Sequence, residues 1–197
     1  MDDGSALLTE VGQISSNVRQ VCSSWRLEVV ITDQMKEFIL LSDVLGLSLL
    51  VDSIDHPKPK GSTKGIVLGP FHTHEARHTE QGGSISHDPD GEPLLVLCTL
   101  RSSDGEPILG AEIDVWETDS KGFYDVQYEN RSGPDGRAVL RSDENGRFWF
   151  KAIVPVPYPI PHDGLVGKLL KVLQRHPYRP RHMHFMFKKQ GYDPLIT

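Results

Sequence analysis

The feature that most constrains this chain is its turn punctuation. Asp90-Gly91, Asp104-Gly105, Lys121-Gly122, Asp135-Gly136 and Asn145-Gly146 recur at intervals of roughly ten to seventeen residues, and such pairs mark reversals in which glycine supplies a positive φ. Strand-like runs lie between them. Leu94 to Leu100 is almost wholly apolar, Ala111, Ile113 and Val115 alternate with Glu112, Asp114 and Trp116, and Phe148, Trp149 and Phe150 end another run. This pattern predicts a mainly β chain, an antiparallel β-sandwich or barrel rather than a βαβ fold. One short helix is expected at Leu165 to Leu173, and no internal repeat or low-complexity tract stands out.

The first 55 or so residues read differently. Thr32-Asp33 suits the N-cap region of a helix carrying Met35, Phe38, Ile39 and Leu41. Ser42-Asp43 is a possible restart, followed by a broad apolar face of Val44, Leu45, Leu47, Leu49, Leu50 and Ile54. Asp55-His56-Pro57-Lys58-Pro59-Lys60-Gly61 then breaks the pattern, because each proline removes a donor and restricts the residue before it. The expected organisation is a small N-terminal helical region over 1–60 and a β domain over 61–197.

The 197 residues carry a net charge of −6 and no Lys/Arg-rich run, so a nucleic-acid-tracking surface is not expected. The apolar stretch Phe38 to Leu41 is interrupted by Ser42 and Asp43 and is too short to span a bilayer. Met1-Asp2-Asp3-Gly4 lacks the basic start of a signal peptide. Two cysteines, Cys22 and Cys98, imply no disulfide framework, and a reduced, cytoplasmic setting is expected.

Three segments could carry chemistry. In Arg179-Pro180-Arg181-His182-Met183-His184-Phe185 two histidines stand at i and i+2. On a strand both imidazoles face one side, as two nitrogen ligands of a single metal would. The pair alone leaves open two ordinary histidines. Tyr158 lies among four prolines in Pro155-Val156-Pro157-Tyr158-Pro159-Ile160-Pro161. That stiff segment lacks ladder donors, so it is an edge or loop that either presents the phenol or simply packs it. Tyr124 follows the Lys121-Gly122 turn in Gly122-Phe123-Tyr124-Asp125-Val126 and reads equally as an ordinary strand aromatic. Asp143-Glu144-Asn145-Gly146 faintly echoes a calcium loop but lacks the remaining ligands, so it reads as a hairpin turn.

Together with Val67-Leu68-Gly69-Pro70-Phe71 and Gly122 through Gln127, these segments resemble the intradiol ring-cleavage dioxygenases, from about Thr32 to the last residue. The hydroxyquinol 1,2-dioxygenase branch is the nearer in pattern and catechol 1,2-dioxygenase its sister. The resemblance implies a non-haem Fe(III) held by Tyr124, Tyr158, His182 and His184. Phenolate oxygens stabilise such a hard cation, and the cation in turn lowers the phenol pKa values.

It further implies that an aromatic 1,2-diol, best taken as hydroxyquinol, is cleaved with O₂ between its hydroxylated carbons. The product is 3-hydroxy-cis,cis-muconate or its tautomer maleylacetate. Tyr158 doubles as a catalytic group that takes a diol proton, and Arg179 stabilises charge developing on the ring. Leu49, Asp52, Val67, Gly69, Pro70, Phe71, Ile160 and Pro161 join Arg179 in the implied substrate pocket. Asp52 would accept a hydrogen bond from the third hydroxyl of hydroxyquinol. The family uses no ligand at His72, His74 and His78, so that second histidine cluster is expected to be solvent-exposed.

The same resemblance implies a homodimer formed through the N-terminal helices, and a chain cut at its C-terminus and shortened at its N-terminus. Two other readings stay open. One changes the substrate to catechol, with cis,cis-muconate as product. The other is a non-enzymatic transthyretin-like sandwich module, whose pattern Gly105 to Ala111 and Ser142 to Phe148 also fit. Such a module needs no Tyr/Tyr/His/His set.

Overall fold

The computed structural model describes residues 33–197. The chain divides into two compact units, Met1–Asp55 and His56–Thr197. Among the described residues of the first unit are two helices, α1 (Asp33–Val44) and α2 (Leu47–Asp55). The break between them falls at Gly46, with φ 73°, rather than at Ser42-Asp43. Glycine reaches that left-handed conformation without a Cβ clash. Leu45 N–H still donates to the Leu41 carbonyl at 3.0 Å and Leu50 N–H already donates to the Gly46 carbonyl at 3.0 Å, so only Leu45 and Gly46 separate the helices. The helical reading of residues 1–32, and Cys22 with it, lies outside the described residues.

The second unit is mainly β. In chain order it contains β1 (Arg77–His78), β2 (Pro93–Thr99), β3 (Glu112–Trp116), a 3-10 turn (Asp125–Gln127), β4 (Arg137–Arg141) and β5 (Arg147–Ile153). After these come β6 (Tyr158–Pro159), helix α3 (Leu165–Val172), β7 (Tyr178–Arg179), β8 (His184–Lys188) and β9 (Leu195–Ile196). A five-stranded sheet has the order β1-β4-β3-β8-β9, and two-stranded sheets pair β2 with β5 and β6 with β7. The pairings are antiparallel except β1 with β4, a two-residue parallel contact at the sheet edge.

Strand alternation sorts the side chains. Ile113 and Val115 of β3, Ala138 and Leu140 of β4, and Phe148, Phe150 and Ala152 of β5 form one buried core. Leu94, Val96 and Cys98 of β2 and Phe185 and Phe187 of β8 pack against it. The five-stranded and the β2–β5 sheets therefore share this core, each burial of a large apolar side chain contributing about 1.5–3 kcal/mol. The opposite face of β3 and β8 presents Asp114, Trp116, His184 and Met186, two residues apart on each strand as the pleat requires. β2 is apolar on both faces, yet Leu95 and Leu97 stand on its exposed side.

Two turn readings change. Gly105, Gly122, Gly136 and Gly146 have positive φ as expected, but Gly91 does not. Residues 143–146 do form a tight turn, with Asp143 Oδ1 accepting from Asn145 N–H at 2.8 Å and Arg147 N–H at 2.7 Å. The strands it joins, β4 and β5, belong to different sheets. It is a crossover between sheets rather than a hairpin between partners.

Candidate metal centre

Four rings from separate parts of the second unit come together. Tyr124 follows the Lys121-Gly122 reversal. Asp119 Oδ1 gathers the Lys121 and Phe123 N–H groups at 2.9 and 3.0 Å and shapes that loop. Tyr124 N–H then donates to Gln127 Oε1 at 2.8 Å, and Phe71 stacks on the phenol ring at 4.6 Å and 18°. The Tyr124 residue is 0% exposed. Tyr158 is the first residue of β6 and stands opposite Arg179 in β7, an arrangement that the proline-rich segment permits only at a sheet edge. Gly122, with φ 83°, lies so near that a Cβ there would sit 3.0 Å from Tyr158 Cβ.

His184 opens β8 directly opposite Trp116 of β3. His182 precedes the strand rather than sharing it, and its Nδ1 lies 2.7 Å from the Pro180 carbonyl. That carbonyl can only accept, so Nδ1 carries the proton and Nε2 offers a lone pair. The Nε2 atoms of His182 and His184 are 3.1 Å apart. The ring centroids close a circuit: Tyr124 to Tyr158 5.6 Å, Tyr158 to His182 5.5 Å, His182 to His184 4.7 Å and His184 to Tyr124 6.5 Å.

The donors suit a cation. The Tyr124 hydroxyl and His184 Nδ1 are buried and, among the described residues, without a hydrogen-bond partner. An unsatisfied buried polar group costs about 1–3 kcal/mol, which a ligand at the hydroxyl would offset. Burial, then the neighbouring Tyr158, pushes the Tyr124 phenol above its ordinary value, with Arg179 and Arg137 opposing. A bound cation reverses that direction. Burial, with His182, Arg179 and His72 adding to it, lowers His184 to about 4, so the imidazole is neutral and free to donate a lone pair. Two ligands at right angles and about 2.1 Å from one ion stand about 3 Å apart, as these nitrogens do. Among the described residues no group of three or more His, Cys, Asp and Glu could hold a metal. A cation here would draw on the two tyrosine oxygens as well as the two imidazole nitrogens, a donor set that suits iron.

The other expected site residues separate into groups. Ile160 is buried, Pro161 is exposed, Val67 is half-buried and Phe71 is the wall behind Tyr124. Gly69 takes a φ of 75° just before exposed Pro70. Arg179 is exposed, and its charge reaches both Tyr124 and His184. Leu49 and Asp52 belong to α2 in the helical unit. A cavity of about 650 Å³ adjoins the Tyr124 segment through Phe123 and Asp125 but is lined by none of the four convergent residues.

The expected exposure of the second histidine cluster holds for two of its three residues. His74 and His78 are exposed, but the His72 side chain is only 4% exposed and its Nε2 meets Asp114 Oδ2 at 2.7 Å. Its partner is 42 residues away, so the local polar pattern around His72 carried no sign of it. Trp116 and Asp114 were also missed as neighbours of the site. The alternation of β3 held the signal, because it sets both on the face opposite Ile113 and Val115.

The comparisons with known proteins are consistent along the chain. The family model described as Dioxygenase matches residues 67–197, and that described as Catechol dioxygenase N terminus matches residues 26–63. An intradiol ring-cleavage dioxygenase of Aspergillus niger is 63% identical over 98% of this chain and 54% of its own length. A hydroxyquinol 1,2-dioxygenase of Rhizobium sp. is 45% identical over 96% of this chain and 59% of its own. The crystal structure of hydroxyquinol 1,2-dioxygenase from Pseudomonas putida DLL-E4 superposes with a TM-score of 0.79 at 36% identity, over 98% of this chain and 66% of that one. The chain thus spans little more than half the length of these curated relatives.

Proposed function

Because the chain belongs to the intradiol ring-cleavage dioxygenase family, we propose that it opens hydroxyquinol with O₂ at a non-haem ferric ion held by Tyr124, Tyr158, His182 and His184. The observation that carries the reading is the closed circuit of four rings around a buried, partnerless Tyr124 hydroxyl and two imidazole nitrogens 3.1 Å apart. A ferric ion bound there supplies Lewis acidity toward both diol oxygens and the redox capacity that lets an aromatic ring react with O₂.

The chain's own residues do the rest. Tyr158, held at a sheet edge, takes a proton at its Oη from one substrate hydroxyl. Tyr124, walled by Phe71 and wholly buried, remains in place. The Arg179 guanidinium, opposite Tyr158, stabilises negative charge gathering on the ring. Phe71 and Ile160 supply apolar surface that keeps water from the reacting carbons. The carbon–carbon bond between the two hydroxylated positions breaks, both oxygen atoms enter the product, and C₆H₆O₃ plus O₂ gives C₆H₆O₅. Val67, Gly69, Pro70 and Pro161 complete the substrate contacts of the second unit in this reading, while Leu49 and Asp52 of the helical unit, with Asp52 answering the third hydroxyl, rest on the family resemblance alone.

The same reading takes the five-stranded and β2–β5 sheets, which share one core, as the two layers of an antiparallel β-sandwich. It makes the protein a cytoplasmic enzyme that dimerises through its helical unit, where Phe38, Ile39 and Leu45 stand exposed. Among the described residues no helix is long and apolar enough to cross a membrane. The test is to reconstitute the protein with ferric iron, measure iron per chain and record the visible spectrum. Tyrosinate-to-iron charge transfer gives a wine-red colour, and hydroxyquinol with O₂ gives maleylacetate. A colourless protein whose iron content is unchanged by Tyr124→Phe and His184→Ala would sink the proposal.

A further inference from the structure

A metal-binding imidazole is ordinarily oriented by a hydrogen bond from its second nitrogen to a carbonyl or carboxylate. His182 has one, to Pro180 O at 2.7 Å. His184 has none among the described residues, since its Nδ1 is buried and without a partner there. What its ring has instead is a flat neighbour. Trp116 lies directly across from it in the β3–β8 register, and the two rings stack at 4.9 Å with planes 9° apart. Trp116 is itself wedged. His72 packs edge-on against it at 4.8 Å and 66°, and is tied by Nε2 to Asp114 Oδ2 at 2.7 Å. Asp114 precedes Trp116 by two residues and so shares its face of β3. The column Asp114–His72–Trp116–His184 is thus assembled from one strand face, one loop and the strand opposite.

We propose that Trp116, backed by the His72–Asp114 pair, is the positioning residue that fixes the ring plane of His184 in place of the hydrogen bond its Nδ1 lacks. This rests on His184 being a metal ligand. A stack constrains tilt but not rotation within the plane, so the wedge matters. His72 stops the indole sliding along β3, and the cross-strand register stops the imidazole sliding along β8. Loss of the indole frees His184 to tip away from His182, and it also thins the cluster that Trp116 shares with Tyr124, Tyr158 and Met186, which is why the His72 and Asp114 variants are needed beside it.

The experiment follows the iron-loaded protein, with ferric iron as the probe, through two measurements that need no turnover. These are the rate of iron release into excess EDTA and the electron paramagnetic resonance line shape at equal iron content. Trp116→Leu keeps an apolar side chain but removes the plane. It is expected to release iron about 10- to 100-fold faster, the usual effect of losing a ligand's orienting partner, and to broaden or split the resonance. Trp116→Phe, which restores a plane, is expected to recover most of both. His72→Gln and Asp114→Asn leave the stack intact but loosen the wedge, and each is expected to give a smaller acceleration. They also carry the test if Trp116→Leu does not fold.

His184→Ala separates the two levels of inference. If it retains iron as the wild type does, the ligand assignment fails and the proposal with it. If it loses iron while the folded Trp116 and His72 variants release iron at the wild-type rate with an unchanged line shape, the ligand assignment stands and the positioning role is overturned. Equal acceleration in Trp116→Leu and Trp116→Phe overturns it as well, because the ring plane would then not be what matters.

Discussion

The segment carrying Tyr124 is anchored by a buried ion pair whose two ends are not equivalent. Arg137 donates through Nε to Asp125 Oδ1 at 3.0 Å and Oδ2 at 2.9 Å, with Nη2 closing a further contact. The side chains are 1% and 4% exposed. Asp125 has other partners: Arg131 Nη1 at 3.2 Å and the N–H groups of Val126 and Asp135 at 2.8 and 3.2 Å. Among the described residues Arg137 has only neutral ones besides, Thr73 Oγ1 and the Phe71 carbonyl, each at 3.2 Å. Asp125→Ala therefore strands a buried guanidinium, and its expected cost is about 3–5 kcal/mol. Arg137→Ala leaves a carboxylate that Arg131 still neutralises, and its expected cost is smaller, about 1.5–3 kcal/mol, the value of charged hydrogen bonds lost. The pair Asp125→Leu with Arg137→Met is expected to cost less than Asp125→Ala alone, since neither charge is then left buried.

Urea unfolding followed by tryptophan fluorescence measures all three. With a slope of about 2 kcal/mol per molar urea, the Asp125→Ala midpoint falls by about 1.5–2.5 M. Because Arg137 also grips the carbonyl of Phe71, whose ring stacks on Tyr124, both single variants are expected to lose iron before they lose the fold. A cost below about 1 kcal/mol for Asp125→Ala, or a larger cost for Arg137→Ala than for Asp125→Ala, would refute this account of the pair.

Three further outcomes are expected. Glu117 is 1% exposed, and burial, opposed by the Ile153 N–H bond and reinforced by Asp135, raises its carboxyl from 4.5 to about 8. The folded chain then holds a proton that the unfolded chain releases, so stability falls as pH rises from 4.5 to 8, by up to about 1.4 kcal/mol per pH unit. Glu117→Gln should flatten that slope in urea titrations at several pH values, and an unaltered slope would show that the acid is not the cause. Gly122→Ala combines a φ of 83° with a Cβ 3.0 Å from Tyr158. It should cost about 1–2 kcal/mol and reduce iron per chain, and an unchanged visible spectrum would show that the close approach does not locate Tyr158. Asp52→Ala should lower turnover of hydroxyquinol more than of catechol by roughly 1–3 kcal/mol in kcat/KM, whereas equal losses would remove Asp52 from specificity.

The residues that gather at the centre were not legible one by one, since each left an ordinary reading open and the set came from the family resemblance, but each does sit in a segment with a strong local constraint. Tyr158 is fixed by its prolines, Tyr124 by the Gly122 reversal and His184 by the alternation of an apolar strand. The short helix at Leu165 was plain, and it runs from Leu165 to Val172. What else was not legible depends on partners distant in sequence. Nothing near His72 announced Asp114, and nothing near Asp125 announced Arg137. Turn chemistry revealed that the chain reverses at Asn145-Gly146 but not that the next strand joins another sheet. The helix break shifted from Ser42-Asp43 to Gly46 because serine and aspartate can stay in a helix, while a left-handed residue ends it.

The division of labour on β3 and β8 carries a consequence for how this protein can change. Odd and even positions of the same ten residues do unrelated jobs: Ile113, Val115, Phe185 and Phe187 fill the core while Asp114, Trp116 and His184 face the centre. Point substitutions can therefore tune one without touching the other. A slip of one residue between the strands exchanges the two sets at a stroke, putting imidazole and indole into oil and phenylalanines beside the two tyrosines. Insertions and deletions should accordingly be tolerated in the segment between α3 and β7, and be excluded from 112–116 and 184–188. Along these strands the reading frame of the pleat is under stricter constraint than any one amino acid in it.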